Sequence, residues 1–197
     1  MLPYNGGMSE QSFTSLSGQF LVAMPSMGDP NFERGVTLLC QHNDEGAVGL
    51  MINRPAEFTF PKVLDQLDMP TDRDDIKTVQ VLMGGPMQPE RGFILHPAGD
   101  GEWESSHRIN EHWAITTSRD ILLAMATGKG PSQALLALGY AGWGAGQLEQ
   151  ELADNAWLTV AATAQILFDI DADERWQAAT RLMGFDSHQL SQHVGHA

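Results

Sequence analysis

Short apolar runs that end at glycine, proline or acidic turns recur along most of the chain. The first three runs, at residues 19–24, 36–40 and 47–52, have the length and composition of β-strands. Pro25 ends the first run. Because Asp44-Glu45-Gly46 links the second run to the third by a short turn, these two strands are predicted to form a hairpin.

Four other segments carry helix signals: residues 60–67, 119–127, 144–153 and 171–183. Capping residues precede the first two, namely Thr59 and either Thr117 or Ser118. The fourth segment starts with Asp171 followed three residues later by Glu174, which resembles a capping box. These helices are predicted to cover a sheet.

Further strands are predicted at residues 79–83, 93–95, 105–109, 114–116, 133–138 and 156–160. Strands come first as adjacent hairpins and alternate with helices only later, which favours an α+β fold with a mixed, largely antiparallel sheet. The length of 197 residues suits one domain. We assign this domain to residues 18–186, between a flexible extension at 1–17 and a loosely ordered tail at 187–197 that carries His188, His193 and His196.

The stretch from Gly139 to Leu152 joins an apolar run to an acidic helix through four glycines around Trp143. Free backbone amides at a helix start can hold a carboxylate or a phosphate. Glu149 and Glu151 would repel such an anion, and no Lys or Arg lies nearby in sequence. The favoured interpretation is therefore a sharp turn beneath Trp143, with ligand binding at its rim left open.

The chain is strongly acidic, with 11 Lys and Arg against 25 Asp and Glu and a formal net charge of −14. Direct binding to nucleic acid is disfavoured, because such binding depends on Lys and Arg that neutralise phosphates. No apolar stretch approaches the length of a membrane span, and no secretory signal is recognisable. We expect a cytoplasmic protein that does not contact membranes.

Two histidines, His42 and His96, follow apolar runs directly and are candidates for one shared rim of the sheet. Together with Asp44, Glu45 or Glu149 they could form a metal or acid–base site. The spacing matches no metal-ligand signature, so a structural histidine bonded to backbone is the favoured interpretation, and no metal or cofactor is predicted. The single cysteine, Cys40, is expected to be buried as a small apolar side chain.

Several ordered motifs resemble the YqgE/AlgH family of bacterial proteins. They are Gln19-Phe20-Leu21-Val22-Ala23-Met24-Pro25, Asp29-Pro30-x-Phe32, His42-Asn43-x-x-Gly46-Ala47-x-Gly49, Ile52-Asn53-Arg54-Pro55, Gly84-Gly85-Pro86, Arg91-Gly92-Phe93-Ile94-Leu95-His96, Thr117-Ser118-Arg119-Asp120, Leu138-Gly139-Tyr140-Ala141-Gly142-Trp143, Gly146-Gln147-Leu148-Glu149-x-Glu151 and Asn155-x-Trp157-Leu158. The resemblance covers the chain from about Gly18 onward.

The resemblance implies a single α+β domain with a curled mixed sheet and no established reaction. The family name comes partly from a proposed role in regulating alginate synthesis genes, and many members are described as uncharacterised or as proposed transcriptional regulators. Two departures stand out in this chain. The segment before Gly18 is longer than is usual, which makes Met8 a candidate start, and Gln41 replaces an acidic residue that often precedes the histidine.

Two functional hypotheses follow from these observations. The favoured one is a non-enzymatic binding or regulatory protein whose rim holds an unidentified protein or small-molecule ligand. The residues assigned to that rim are His42, Asn53, Arg54, His96, Trp143, Gln147 and Glu149. The alternative is a hydrolase or metal-dependent enzyme that uses His42, His96 and Glu149.

Overall fold

The computed structural model describes residues 13–185, which form one curled sheet of nine strands with helices packed on it. The strands are β1 (Gln19–Ala23), β2 (Val36–Asn43), β3 (Gly46–Met51), β4 (Gln80–Met83), β5 (Met87–Pro97), β6 (Ser106–Arg108), β7 (Trp113–Thr116), β8 (Leu135–Gly144) and β9 (Trp157–Ala161). The predicted β2–β3 hairpin is confirmed. The prediction of an α+β domain with a curled, mixed, mostly antiparallel sheet is confirmed as well.

Strand β8 is the centre of the sheet, whose order is β6-β7-β5-β8-β3-β2-β1-β9. On one side β8 pairs with β5. On its other side the first half, Leu135 to Leu138, pairs with β4 and the second half, Ala141 to Gly144, pairs with β3. The β4–β8 pair is parallel and the other pairs are antiparallel, which makes the sheet mixed.

The glycine stretch was predicted to be a turn after residue 138, and that prediction is wrong. The chain stays in the sheet through Gly144, because these glycines extend the ladder beside β3. Gly139 alone leaves the regular strand conformation, with φ +70°, and it lies opposite an irregular part of β5. This kink shifts the alternation of side chains by one residue.

The shift at Gly139 explains how β8 contributes to three apolar clusters. Before the kink, Leu135 and Ala137 join the main core, while Leu136 faces a second cluster beneath two helices. After the kink, Ala141 and Trp143 point to a third cluster. The sheet therefore carries its main core on one face and two smaller clusters on the other.

In the described part of the chain, four α-helices lie on the sheet: α1 (Phe60–Gln66), α2 (Arg119–Ala126), α3 (Gln147–Ala153) and α4 (Arg175–Leu182). None of the predicted cap residues Thr59, Ser118 and Asp171 makes a side-chain capping hydrogen bond, and Asp171 precedes a 3-10 turn rather than α4. The third helix starts three residues later than predicted, after Gly146 in a left-handed conformation. A π-helix at Gln165–Asp169 and 3-10 turns at Asp75–Thr78 and Ala172–Glu174 were not predicted.

A buried arginine fastens the C-terminal helices to the sheet. Arg175 is fully buried and donates hydrogen bonds to the carbonyls of Ile52, Leu167 and Ile170 and to Oε1 of Gln80. Burial lowers the pKa of this guanidinium to about 10, so it stays charged at neutral pH. Across residues 13–185, no helix is both long and apolar enough to cross a membrane.

The end of the predicted N-terminal extension touches the sheet. The backbone N–H of Leu16 donates to His42 Nδ1 at 3.0 Å, and the Ser15 hydroxyl donates to the His42 carbonyl at 2.9 Å. Phe13 stacks edge-on against the His42 ring. The first twelve residues of the predicted extension at 1–17 and the tail histidines His188, His193 and His196 lie outside the described residues.

Candidate functional site

A cavity of about 360 Å³ lies between the end of β8, helix α3 and the loop that precedes β2. We call it the aromatic cavity. It is lined by Ser26, Met27, Gly28, Asp29, Phe32, Gly142, Trp143, Gln147, Glu151, Asp154 and Ala156. Six of these residues, Asp29, Phe32, Gly142, Trp143, Gln147 and Glu151, belong to the motifs that carry the sequence resemblance.

Local hydrogen bonds shape the loop that presents Phe32 to the cavity. The Asp29 carboxylate accepts from the N–H of Asn31, and the Asp29 carbonyl accepts from the N–H of Phe32 and of Glu33. This is the turn chemistry expected of an Asp that precedes Pro30. Hydrogen bonds within the loop therefore fix its conformation.

Asn53 and Arg54 hold the same loop from the side of β3. The buried Asn53 accepts a hydrogen bond from the N–H of Val36 and donates one to the carbonyl of Arg34, both at 2.8 Å. Arg54 donates to the Glu33 carbonyl. These two predicted rim residues thus support the loop that forms one wall of the cavity.

Phe32 and Trp143 line the cavity, and the ring of the buried Trp157 packs against both of them. Trp143 and Trp157 pack edge-to-face with ring centroids 6.0 Å apart. Phe32 lies 5.6 Å from Trp157 and 6.3 Å from Trp143. Edge-to-face contacts of this kind fix ring orientation and contribute about 0.5–1.5 kcal/mol beyond area burial, so these rings are preorganised.

Glu151 orders the polar side of the cavity by accepting three hydrogen bonds. Its Oε2 accepts from the indole N–H groups of Trp143 at 2.9 Å and Trp157 at 2.7 Å. Its Oε1 accepts from the Gln147 side-chain amide at 3.0 Å. Hydrogen bonds to a carboxylate are stronger than neutral ones, so Glu151 holds both indoles in register with α3.

The backbone amides at the glycine stretch do not form an open anion cradle. The Gly144 N–H donates to Oε1 of Gln147 at 3.0 Å. A side chain of α3 therefore already occupies the amide that an anion would need. Among the cavity residues there are three carboxylates, on Asp29, Glu151 and Asp154, and no Lys or Arg. The cavity therefore favours neutral or cationic groups over anions.

His42 pairs with Glu149 beside the aromatic cavity. A β-bulge at Cys40 shifts the alternation of β2, and the His42 Nε2 lies 2.7 Å from Glu149 Oε1. Because Leu16 donates to Nδ1, that nitrogen carries the lone pair and Nε2–H donates to the carboxylate. The Glu149 pKa is lowered by its own backbone N–H and by the His42 hydrogen bond.

His96 is engaged in a separate, buried network. Its Nδ1–H donates to the Pro97 carbonyl at 2.9 Å, and its Nε2 accepts from the Thr116 hydroxyl at 2.8 Å. The Ser106 hydroxyl in turn donates to Thr116 at 2.7 Å. Burial lowers the His96 pKa, so the imidazole is held neutral.

The structure does not bring His42 and His96 together. His42 pairs with Ala47, which pairs with Trp143 near one end of β8. His96 directly follows Leu95, which pairs with Leu135 at the other end of β8. At about 3.3 Å per residue the two ends lie roughly 25 Å apart along the strand. A shared rim was expected because both histidines follow apolar runs. The order of strands in the sheet differs from their order along the chain, so two strand ends with similar sequence patterns need not be neighbours.

The enzyme hypothesis therefore lacks a common site for its three residues. Both ring nitrogens of His42 and of His96 already have partners, which leaves neither nitrogen open to a substrate. Within residues 13–185, no three His, Cys, Asp or Glu side chains are grouped so that they could share a metal ion. The burial expected for Cys40 is confirmed, and burial raises its thiol pKa to about 12.

Trp143 and Gln147 are the predicted rim residues that line the aromatic cavity directly. Sequence reasoning missed Glu151, Trp157 and Phe32 as members of the same site. The four-residue spacing of Gln147 and Glu151 places them on one helix face, which was an available signal. No comparable signal linked Phe32 to the tryptophans, because the loop approaches them only through the fold.

Sequence comparison gives consistent relatives over almost the whole chain. The AlgH-like family model matches residues 20–188. A UPF0301 protein from Chromobacterium violaceum is 52% identical over 184 residues, which cover 93% of this chain and 98% of the relative. A UPF0301 protein from Thioalkalivibrio sulfidiphilus is 51% identical over 185 residues, again covering 93% and 98%.

Solved structures agree with this assignment. The solution structure of the AlgH protein from Pseudomonas aeruginosa matches with a TM-score of 0.76 and 46% identity, covering 96% of this chain and 100% of that chain. A crystal structure of a protein from Corynebacterium diphtheriae, at 20% identity and a TM-score of 0.66, covers 86% and 87% and shares the fold. The chain belongs to the AlgH-like family.

Proposed function

We propose that this chain is a non-enzymatic binding protein whose aromatic cavity holds a small neutral or cationic ligand group. The single observation that carries the proposal is the convergence of separate sequence motifs on that cavity. Asp29 and Phe32 come from the loop, Trp143 from β8, and Gln147 and Glu151 from α3. Its volume of about 360 Å³ lies within the range of about 300–1,000 Å³ typical of small-molecule sites.

The chemistry of the lining supports a recognition role. The rings of Phe32 and Trp143 offer an apolar wall, and the carboxylates of Asp29 and Asp154 are exposed at the cavity. A positively charged group could contact both the ring faces and these carboxylates. Glu151 is already satisfied by its three donors and acts by positioning the indoles.

A regulatory role would then act through the ligand or a protein partner in the cytoplasm. The net charge of −14 disfavours direct binding of this protein to DNA phosphates. The aromatic cavity itself has no Lys or Arg in its lining. Tight binding to bare duplex DNA that weakens with added salt would overturn this part of the proposal.

Two glutamines on α3 provide a matched test. Gln147 lines the cavity, whereas Gln150 faces Asp154 on the same exposed helix. We expect affinity selection from a small-molecule extract, read by mass spectrometry, to recover a compound with the wild type and with Gln150→Ala. Gln147→Ala removes the side-chain hydrogen bonds to the Glu151 carboxylate and the Gly144 N–H that order the cavity, so it should retain at least about tenfold less compound. Equal recovery by both variants would place binding elsewhere.

A further inference from the structure

A second cavity, separate from the aromatic cavity, opens between helices α1 and α2. We call it the α1–α2 groove, and its volume is about 460 Å³. Ile94, Leu136 and Leu138 form its floor on β5 and β8, and Val63 and Leu122 form its helical walls. The wall residues and Leu138 are only partly buried, so the groove exposes apolar surface in a concave shape.

Glycine at position 92 keeps the floor of this groove open. The φ of Gly92 lies outside the left-handed region, so its backbone conformation does not require glycine. A Cβ built there would meet the methyl groups of Leu136 at 3.3 Å and Leu138 at 3.8 Å. Glycine inside a strand often marks a bulge or the close approach of a ligand or another backbone, and Gly92 borders the register shift of β5. A side chain here would occupy the groove.

A cation stands at the rim where the two helices meet. Arg119, at the start of α2, donates from Nη2 to the Leu67 carbonyl at the end of α1. It is exposed, and no carboxylate among the described residues forms an ion pair with it. Thr117, which also lines the groove, is exposed next to it. Glu90 is the one carboxylate in the lining, and it comes from the irregular part of β5.

We propose that the α1–α2 groove binds an amphipathic molecule with an aliphatic chain and an anionic head. The chain would lie on Ile94, Leu136 and Leu138 above Gly92, and the head would pair with the guanidinium of Arg119. The charge of the head follows from Arg119, whose remaining N–H groups have no acidic partner in residues 13–185. Asp120 already occupies the first turn of α2 by accepting from Ile121, so the head would bind the side chain rather than the helix amides.

Octanoate is the probe that tests this site, with octylamine and octanol as matched comparisons of head-group charge. In ¹³C-methyl spectra, octanoate should produce saturable shifts at Ile94, Leu122 and Leu136. Arg119→Gln should weaken octanoate binding by about tenfold or more, as expected for losing a hydrogen bond to a charged group. Arg108→Gln removes an equal charge from an exposed arginine on β6 and should leave the affinity unchanged.

Gly92→Val supplies the second arm, because it fills the groove without removing any polar group. Valine suits a strand, so thermal unfolding should show a folded protein while octanoate shifts at the groove are lost. The proposal is overturned if octanoate shifts no groove methyls, or if folded Gly92→Val binds it as tightly as the wild type. It is overturned equally if octanol or octylamine binds as tightly as octanoate, or if Arg119→Gln changes nothing.

Discussion

At the scale of single residues, hydrogen-bond partners decide what each polar side chain can do. His42 and His96 resemble each other in sequence context, yet one is held by Leu16 and Glu149 and the other by Pro97 and Thr116. Neither ring offers a free nitrogen. The sequence predicts histidines bonded to backbone, and the Leu16 N–H and the Pro97 carbonyl are such partners. It could not identify the partners, because most of them lie far away along the chain.

The buried His96 makes stability depend on pH in a defined direction. Its pKa is lowered by burial below the ordinary value of 6.5, so the unfolded chain binds the proton more tightly than the folded one. The unfolding free energy should therefore fall as pH is lowered through about 6.5 and towards the folded-state pKa. Urea unfolding at a series of pH values measures this slope.

The histidine variants isolate that contribution. His96→Gln should be less stable at neutral pH and should show a shallower loss of unfolding free energy on acidification. His112→Gln changes an exposed histidine and should follow the wild-type slope. If His96→Gln keeps the full wild-type slope, the buried neutral imidazole is not its source.

At the scale of elements, β8 determines how the molecule is assembled. Its first half pairs with β4 and β5, and its second half pairs with β3. The apolar run at residues 133–138 correctly predicted the first half. The glycines of the second half predict a turn, because glycine disfavours strands, but in the structure this half pairs with Gly46 to Gly49 of β3.

The kink at Gly139 is expected to require glycine. Its φ is +70°, and an added Cβ would lie 2.5 Å from the Gly85 carbonyl oxygen. Gly139→Ala should destabilise the fold by at least about 1–3 kcal/mol, the cost of a strained left-handed backbone. Chemical denaturation measures this difference.

Gly144→Ala is the matched control on the same strand. A Cβ at Gly144 would have nothing within 4 Å, and its φ is not left-handed. This variant should unfold at nearly the wild-type denaturant concentration. Similar midpoints for Gly139→Ala and Gly144→Ala would show that the kink does not depend on the conformation of residue 139.

At the scale of the whole molecule, one face of the curled sheet carries the main core and the other carries the cavities. The C-terminal helices cover one face, where Trp176 donates to the Ala23 carbonyl within the main core. The other face carries the aromatic cavity and the α1–α2 groove. Local patterns predicted the strands and the fold class. They could not predict this division, because it depends on the order of nine strands and on the side-chain shift at Gly139.

Ligand binding in the aromatic cavity can be followed directly through the indole N–H signals of Trp143 and Trp157. Both indoles donate to Oε2 of Glu151, whereas the indole of Trp176 lies on the opposite face of the sheet. The measurement is a ¹H–¹⁵N spectrum during titration with the compound recovered by affinity selection. We predict that the Trp143 and Trp157 indole signals shift together and saturably while the Trp176 signal stays in place. Saturable binding that leaves both indole signals unshifted would show that the compound binds outside the aromatic cavity.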